Sequence, residues 1–355
     1  MVHRLFAKRL LSPEDLKPSR GDWEVIGAFN PGAAMVGDEI VLLVRVAEQP
    51  CERRPGYTGL PRWDSKRGPM VEWVKDEALE TIDPRMVRRR EDGLLRLTFL
   101  SHLRVIRSRD GRTIDNAEGT RFEPRTSWEE FGVEDPRITR IGDTFYITYV
   151  AVSRHGAATA LASSKDFKTF RRHGILFPPD NKDVVLFPER IDGAYVALHR
   201  PISAAPFSRP EIWLARSPDL LHWGQHEPLL CLAANWESDR IGAGPPPIRT
   251  PRGWLEIYHG SQRSAIPGQV GAYSAGALLL DLENPARVVG RTTDAVLVPE
   301  APYDQHGFVP NVLFPTGMVR RDDRVALYYG AADTFTAVVE LSCEEILSSL
   351  TLTPE

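Results

Sequence analysis

The 355-residue chain predicts an all-β fold, specifically a five-bladed β-propeller with a short C-terminal helix, and three observations carry that reading. One is a turn of the form Ser-x-Asp at Ser108-Arg109-Asp110, Ser164-Lys165-Asp166 and Ser217-Pro218-Asp219, each followed by three residues and then an apolar one. Another is a proline, an apolar run, a Gly/Asp turn and a second apolar strand, which recurs five times and reads as a hairpin. The third is the scarcity of helical signal: 29 prolines and 27 glycines punctuate the chain, and long 3.6-residue periodicity is absent.

The elements follow in order. Met1 to Leu11 is basic but lacks the apolar stretch and cleavage site of a secretory signal, so it reads as mature cytoplasmic sequence. The hairpins run from Asn30-Pro31-Gly32 to Arg45, from Asp135-Pro136 to Tyr149, and from Phe187-Pro188 to Leu198. Two more run from Pro246-Pro247 to Tyr258 and from Phe314-Pro315 to Tyr329. A sixth, partial copy at Asp83-Pro84-Arg85-Met86 reads as an insertion, and the stretch 50–80 before it as a rim loop or a subunit contact. The second of these options leaves a homo-oligomer open. Weakened turn copies at Leu280-Asp281 and Glu340-Leu341-Ser342 complete five units, and a helix through Glu344 to Leu350 closes the chain. Radial repetition of small sheets accounts for this pattern better than a sandwich, so residues 1–355 are expected to form a single domain.

Composition excludes several function classes. A net charge of −4 supplies no global basic field for nucleic acid, and no run of about 18 apolar residues is present to span a membrane. Cys51, Cys231 and Cys343 are odd in number and lie outside any metal or disulfide pattern. His199 and His259 lack a neighbouring ligand pattern, so no metal site is expected.

Equivalent ends of successive repeats converge on one axis, and polar residues recur there in register: Asn30, Asp83 and Asp135 before the prolines, and Arg45, His199-Arg200, Tyr258-His259 and Asp333 at or after the second strands. A lone Arg or Asp at a strand end is usually a solvated cap, but a shared repeat position predicts a cluster. An inverting glycosidase needs an acid and a water-activating base roughly 6.5–9.5 Å apart. A phosphorylase keeps the acid and replaces the base by cations that hold phosphate. Asp135 is the acid candidate and Arg45, Lys182, Arg200 and His259 the candidate phosphate clamp. A hydrolase would need a second carboxylate, for which Glu134 and Glu256 stay open. Glu189 reads as a structural partner of a nearby Arg, and Lys182-Asp183 has the competing reading of a simple loop ion pair.

At Val25-Ile26-Gly27-Ala28-Phe29-Asn30-Pro31-Gly32, Gly132-Val133-Glu134-Asp135-Pro136-Arg137, Asn181-Lys182-Asp183, Leu198-His199-Arg200-Pro201, Tyr258-His259-Gly260 and Tyr328-Tyr329-Gly330-Ala331-Ala332-Asp333 the chain resembles glycoside hydrolase family 130, the β-mannoside phosphorylases and related mannosidases. The resemblance implies a five-bladed propeller with no metal or cofactor and inorganic phosphate as co-substrate. It implies Asp135 as general acid, with its proton passing through the mannosyl 3-hydroxyl. It further implies Arg45, Lys182, Arg200 and His259 on the phosphate side, Asn30, Asp83 and Asp333 as sugar contacts, and Arg137 orienting Asp135. The retained cations point to phosphorolysis of a β-mannoside to α-D-mannose 1-phosphate, and the Asp83–Met86 region resembles members acting on β-1,2-mannobiose or short β-1,2-oligomannans. A β-1,4-mannoside phosphorylase, a β-1,2-mannosidase and a noncatalytic propeller are the competing readings. Tyr57, Trp63 and Trp236 are offered as stacking residues for the acceptor sugar or as core cover.

Overall fold

The computed structural model describes residues 2–202, 208–266 and 269–353. Its regular structure is almost entirely strand, and the α-helices among the described residues are Pro302–Gln305 and Cys343–Ser348. The strands form five antiparallel meanders. The first comprises Trp23–Val36, Glu39–Pro50, Leu100–Ser108 and the short Arg121–Phe122; the second Gly132–Ile141, Thr144–Ser153, Gly156–Ser164 and Arg171–Phe177. A parallel bridge from Gly132 to Ser101 joins these two into one larger sheet. The third comprises Asn181–Leu186, Tyr195–Pro201, Ile212–Ser217 and Gly224–Leu230. In the fourth, a leading strand broken into Arg240–Ala243 and Ile248–Thr250 precedes Gly253–Ser261, Tyr273–Leu280 and Val288–Arg291, with Thr351–Leu352 added at the edge. The fifth takes Leu313–Arg321, Arg324–Ala331 and Phe335–Ser342 from the end of the chain and Phe6–Leu11 from its beginning, with Phe6 opposite Glu340.

The repeat read from sequence has a concrete meaning in this frame. Each Ser-x-Asp turn ends the third strand of its meander. Asp110 Oδ1 accepts from the backbone N–H of Arg112 and Thr113, Asp166 from Lys168 and Thr169, and Asp219 from Leu221 and His222. The weakened copy at Asp281 makes the same pair of bonds to Glu283 and Asn284. At the fifth position Ser342 caps the C-terminal helix by accepting from Glu345 N–H. These are side-chain-stabilised turns, which is why Ser and Asp recur there.

Packing follows the two-residue period of the strands. In Glu39–Pro50, Ile40, Leu42, Val44 and Val46 face a cluster shared with the fifth meander through Val319, Tyr328 and Val338, whereas Val41 and Leu43 face one shared with the second through Val133, Ile147 and Tyr149. A strand buried on both faces reads as a continuous apolar run. Further clusters join the second meander to the third through Leu161, Leu186 and Ala197, the third to the fourth through Leu198, Leu214 and Tyr258, and the fourth to the fifth through Ile257, Leu279 and Tyr329.

The segment after the first hairpin departs from the expected rim loop. It is a hairpin, Tyr57–Asp64 with Gly68–Lys75, followed by a small sheet of Leu79–Asp83, Met86–Arg89 and Leu95–Leu97. Both are inserted between the second and third strands of the first meander.

Candidate active site

Three leading strands carry the same local irregularity. Between Phe29 and Gly32, between Glu134 and Arg137, and between Lys182 and Val185, the ladder slips, with more residues on the leading strand than on its partner. Asn30, Asp135 and Asp183 occupy these bulges with φ of 49°, 48° and 55°. Asn and Asp enter the left-handed region more readily than other side chains, and a bulge re-aims its side chain out of the alternating pattern. All three thereby turn toward one cavity of about 220 Å³, together with Arg45, Lys182, Arg200 and Asp333. Close approach is enforced at Gly330, where a Cβ would lie 1.8 Å from Asn30 Oδ1.

At the centre, Asp135 Oδ1 accepts from Asn30 Nδ2 at 2.8 Å and from Arg45 Nη1 at 3.0 Å. The same guanidinium donates from Nη2 to Glu134 Oε1 at 2.7 Å and from Nε to Ser101 at 3.2 Å, and it lies over the Phe29 ring. All three of its nitrogens are thus committed. Burial raises the proton affinity of Asp135, but Arg45, Arg137, Lys182 and the Asn30 bond outweigh it and hold the carboxyl below its ordinary range. Burial dominates at Glu134 and pushes its carboxyl up against the pull of Arg45 and Lys182.

Beneath the cavity floor, Arg137 donates to the Asp135 carbonyl at 2.9 Å, to Asp183 Oδ1 at 3.0 Å and to the Gly244 carbonyl at 3.2 Å. It therefore fixes the Asp135 backbone rather than its carboxylate. Asp183 Oδ2 is 2.8 Å from Arg200 Nη2 and 3.4 Å from His259 Nε2. His259 is fully buried against Phe314 and does not line the cavity. Burial pulls its pKa down despite Asp183, which leaves a neutral imidazole.

The uncommitted cationic donors are specific. Arg200 Nε and Nη1 are buried with no hydrogen-bond partner among the described residues, and the Lys182 ammonium, which lines the same cavity, has no ion pair among them. Buried charged donors without partners cost several kcal/mol unless an anion satisfies them, so Arg200, with the half-buried Lys182 beside it, offers donors that an anion could satisfy.

The other sequence candidates lie elsewhere. Asp83 is outside the cavity lining, with its carboxylate spent on Arg85 at 3.0 Å; it is Arg85 that enters, reaching Asp333 at 3.5 Å. Tyr57 is exposed, Trp63 borders a separate pocket beside His102, and Trp236 packs on Tyr258, so none lines this cavity. Glu189 pairs with Arg249 at the surface, as a structural partner would. Glu256 is fully buried away from the cavity, and burial drives its carboxyl well above the ordinary range. Sequence reading missed Asp183, Arg85, Arg240 and Tyr273. For Asp183 a signal existed, since it occupies the position of Asn30 and Asp135 but is followed by Val184 instead of proline.

A family model described as beta-1,4-mannooligosaccharide phosphorylase, of glycoside hydrolase family 130, matches residues 96–352. The chain belongs to glycoside hydrolase family 130. Within the family it is 39% identical to a beta-1,2-mannobiose phosphorylase of Listeria innocua over 98% of both chains, and 37% identical to a 1,2-beta-oligomannan phosphorylase of a Thermoanaerobacter species, covering 70% of this chain and 81% of that one. The solved structure of the Listeria innocua beta-1,2-mannobiose phosphorylase with beta-1,2-mannobiose superimposes with a TM-score of 0.90 over 97% of this chain and 98% of that one, at 39% identity. All-β architecture is therefore a property this chain shares with its family.

Proposed function

We propose that the protein catalyses inverting phosphorolysis of a β-1,2-linked mannoside, β-1,2-mannobiose or a short β-1,2-oligomannan, with inorganic phosphate to give α-D-mannose 1-phosphate. In the reaction the C1–O bond to the leaving sugar breaks, a phosphate oxygen forms the new bond to C1 from the opposite face, and the leaving oxygen takes a proton originating on Asp135. The observation that carries this reading is the set of open cationic donors, Lys182 with Arg200 Nε and Nη1, in the cavity that holds Asp135. The near full-length similarity to a phosphorylase named for β-1,2-mannobiose supports the linkage.

Hydrolysis is disfavoured by the carboxylates. A water-activating base must stand across the sugar from the acid. Glu134 and Asp135 share one guanidinium and so stand on the same side, Glu256 is sealed in the core, and the cavity's other carboxylates are paired, Asp183 with Arg137 and Arg200 and Asp333 with Arg85. In this reading Arg45 holds the acid instead of phosphate, Arg137 and His259 support the anion site from below, and Asn30, whose Oδ1 has no hydrogen-bond partner among the described residues, and Asp333 contact the sugar. Residues 1–355 form one catalytic domain, with the five meanders as the blades of a propeller; the cyclic order of apolar clusters, from first with second round to fifth with first, supports that closure.

The test is product analysis of β-1,2-mannobiose incubated with and without phosphate. Phosphate-dependent α-mannose 1-phosphate is expected. Free mannose formed at the same rate without phosphate would replace this reading by hydrolysis.

A further inference from the structure

We propose that Asp183 is the positioning residue of the anion site, holding Nη2 of the cavity-lining Arg200 guanidinium so that its other two nitrogens stay uncommitted. The inference rests on the phosphorolysis reading and extends it to a residue that would act through Arg200.

Three features of the geometry point to this role. Asp183 sits at the left-handed bulge of the third meander, φ 55°, which turns its carboxylate inward between strands instead of along the alternating face. The carboxylate is 1% exposed and gathers groups from three meanders: Arg137 of the second at Oδ1, Arg200 of the third and His259 of the fourth at Oδ2. Lys182 and Arg200 are cross-strand partners, so fixing the bulge at Asp183 fixes both open cations relative to each other. The fourth meander is shaped to admit this arrangement. At Gly242 a Cβ would lie 2.4 Å from Asp183 Oδ2 and 2.6 Å from the His259 ring, so no side chain fits there without displacing the carboxylate.

A guanidinium has five donors in a rigid fork. Anchoring Nη2 on Asp183 leaves the Nε and Nη1 donors to be aimed as a unit. With the anchor gone, Arg200 is free to rotate or to seek another carboxylate, and the anion site loses its preorganisation. A purely structural tie among three meanders would cost stability while leaving the affinity for phosphate alone.

The experiment is a phosphate titration of β-1,2-mannobiose phosphorolysis by wild type, Asp183→Asn and Gly242→Ala. The second variant retains every charge and presses on Asp183 from the opposite side, so it carries the test if Asp183→Asn does not fold. We expect KM for phosphate to rise roughly tenfold to a hundredfold, the scale of a misplacement of about 1 Å in a positioned group. KM for mannobiose should change by no more than about threefold, below that scale. A folded variant with wild-type KM for phosphate would overturn the assignment. Phosphate-independent cleavage by wild type would instead remove the phosphorolysis reading, so the two failures are distinct.

Discussion

Asn30 Nδ2 donates to Asp135 Oδ1 at 2.8 Å, joining the left-handed bulges of two different meanders through their side chains. The bond, with the one from Arg45, fixes the orientation of the carboxyl proposed as the acid. Replacing Asp135 by Asn keeps the shape and removes the proton. Turnover of β-1,2-mannobiose should fall by about 10²–10⁴-fold, the usual weight of general acid catalysis. An aryl β-mannoside with an acidic phenol, which needs no protonation, should lose far less. An equal loss on both substrates would mean that Asp135 is not the proton source.

The charge state of Asp135 leads to a second expectation. In the free protein Arg45, Arg137 and Lys182 hold its carboxyl below the ordinary range, so near neutral pH it is an anion. A phosphate anion placed on Lys182 and Arg200 offsets those cations and raises its pKa. A carboxyl whose pKa rises on binding takes up a proton, so phosphate should bind more tightly as pH falls through that raised value. Calorimetry in buffers of different ionisation enthalpy should show proton uptake by wild type in excess of that by Asp135→Asn. Equal uptake by the two proteins would place the proton elsewhere.

Sequence reading reached these residues unevenly, for identifiable reasons. The Ser-x-Asp turns are local, each closing on its own backbone within a few residues, so the repeat was legible even at the weakened copy around Asp281. Asn30-Pro31 and Asp135-Pro136 were legible because the proline marks the bulge. Asp183 lacks that mark. The burial of Arg137 and His259 beneath the cavity depends on strands far apart in sequence, as does the pairing of Phe6–Leu11 with Phe335–Ser342 across the two chain ends. Neither is written in any local pattern. The hairpin Tyr57–Asp64 with Gly68–Lys75 was obscured by its prolines and glycines, which suggested a loop.

Arg85 comes from the inserted sheet, not from a meander, and its guanidinium spans Asp83 at 3.0 Å and Asp333 at 3.5 Å at the cavity wall. Arg85→Ala should therefore weaken the sugar side selectively. KM for β-1,2-mannobiose should rise about tenfold or more, as expected when a charge-assisted contact worth about 1.5–3 kcal/mol is lost, and KM for phosphate should hold. Steady-state kinetics with each substrate varied in turn would decide it. A rise confined to phosphate would move Arg85 to the anion site.

Glu256 offers a prediction independent of catalysis. Its carboxyl is fully buried, Oε1 accepts from Gly244 N–H at 3.0 Å, and Oε2 has no hydrogen-bond partner among the described residues. Burial is the largest influence and drives its pKa well above the ordinary carboxyl range, outweighing the Gly244 bond and Arg137. For an acid raised in the folded state, the unfolded chain releases its proton first. Stability is unaffected by this group below the unfolded pKa of about 4.3 and declines as pH rises from there toward the folded value. Glu256→Gln keeps the carbonyl that Gly244 needs and removes the titration. Thermal melts at pH 5 and pH 8 should therefore show a smaller loss of Tm across that interval for the variant than for wild type. Parallel losses would mean that Glu256 is not a protonated group of the core at neutral pH.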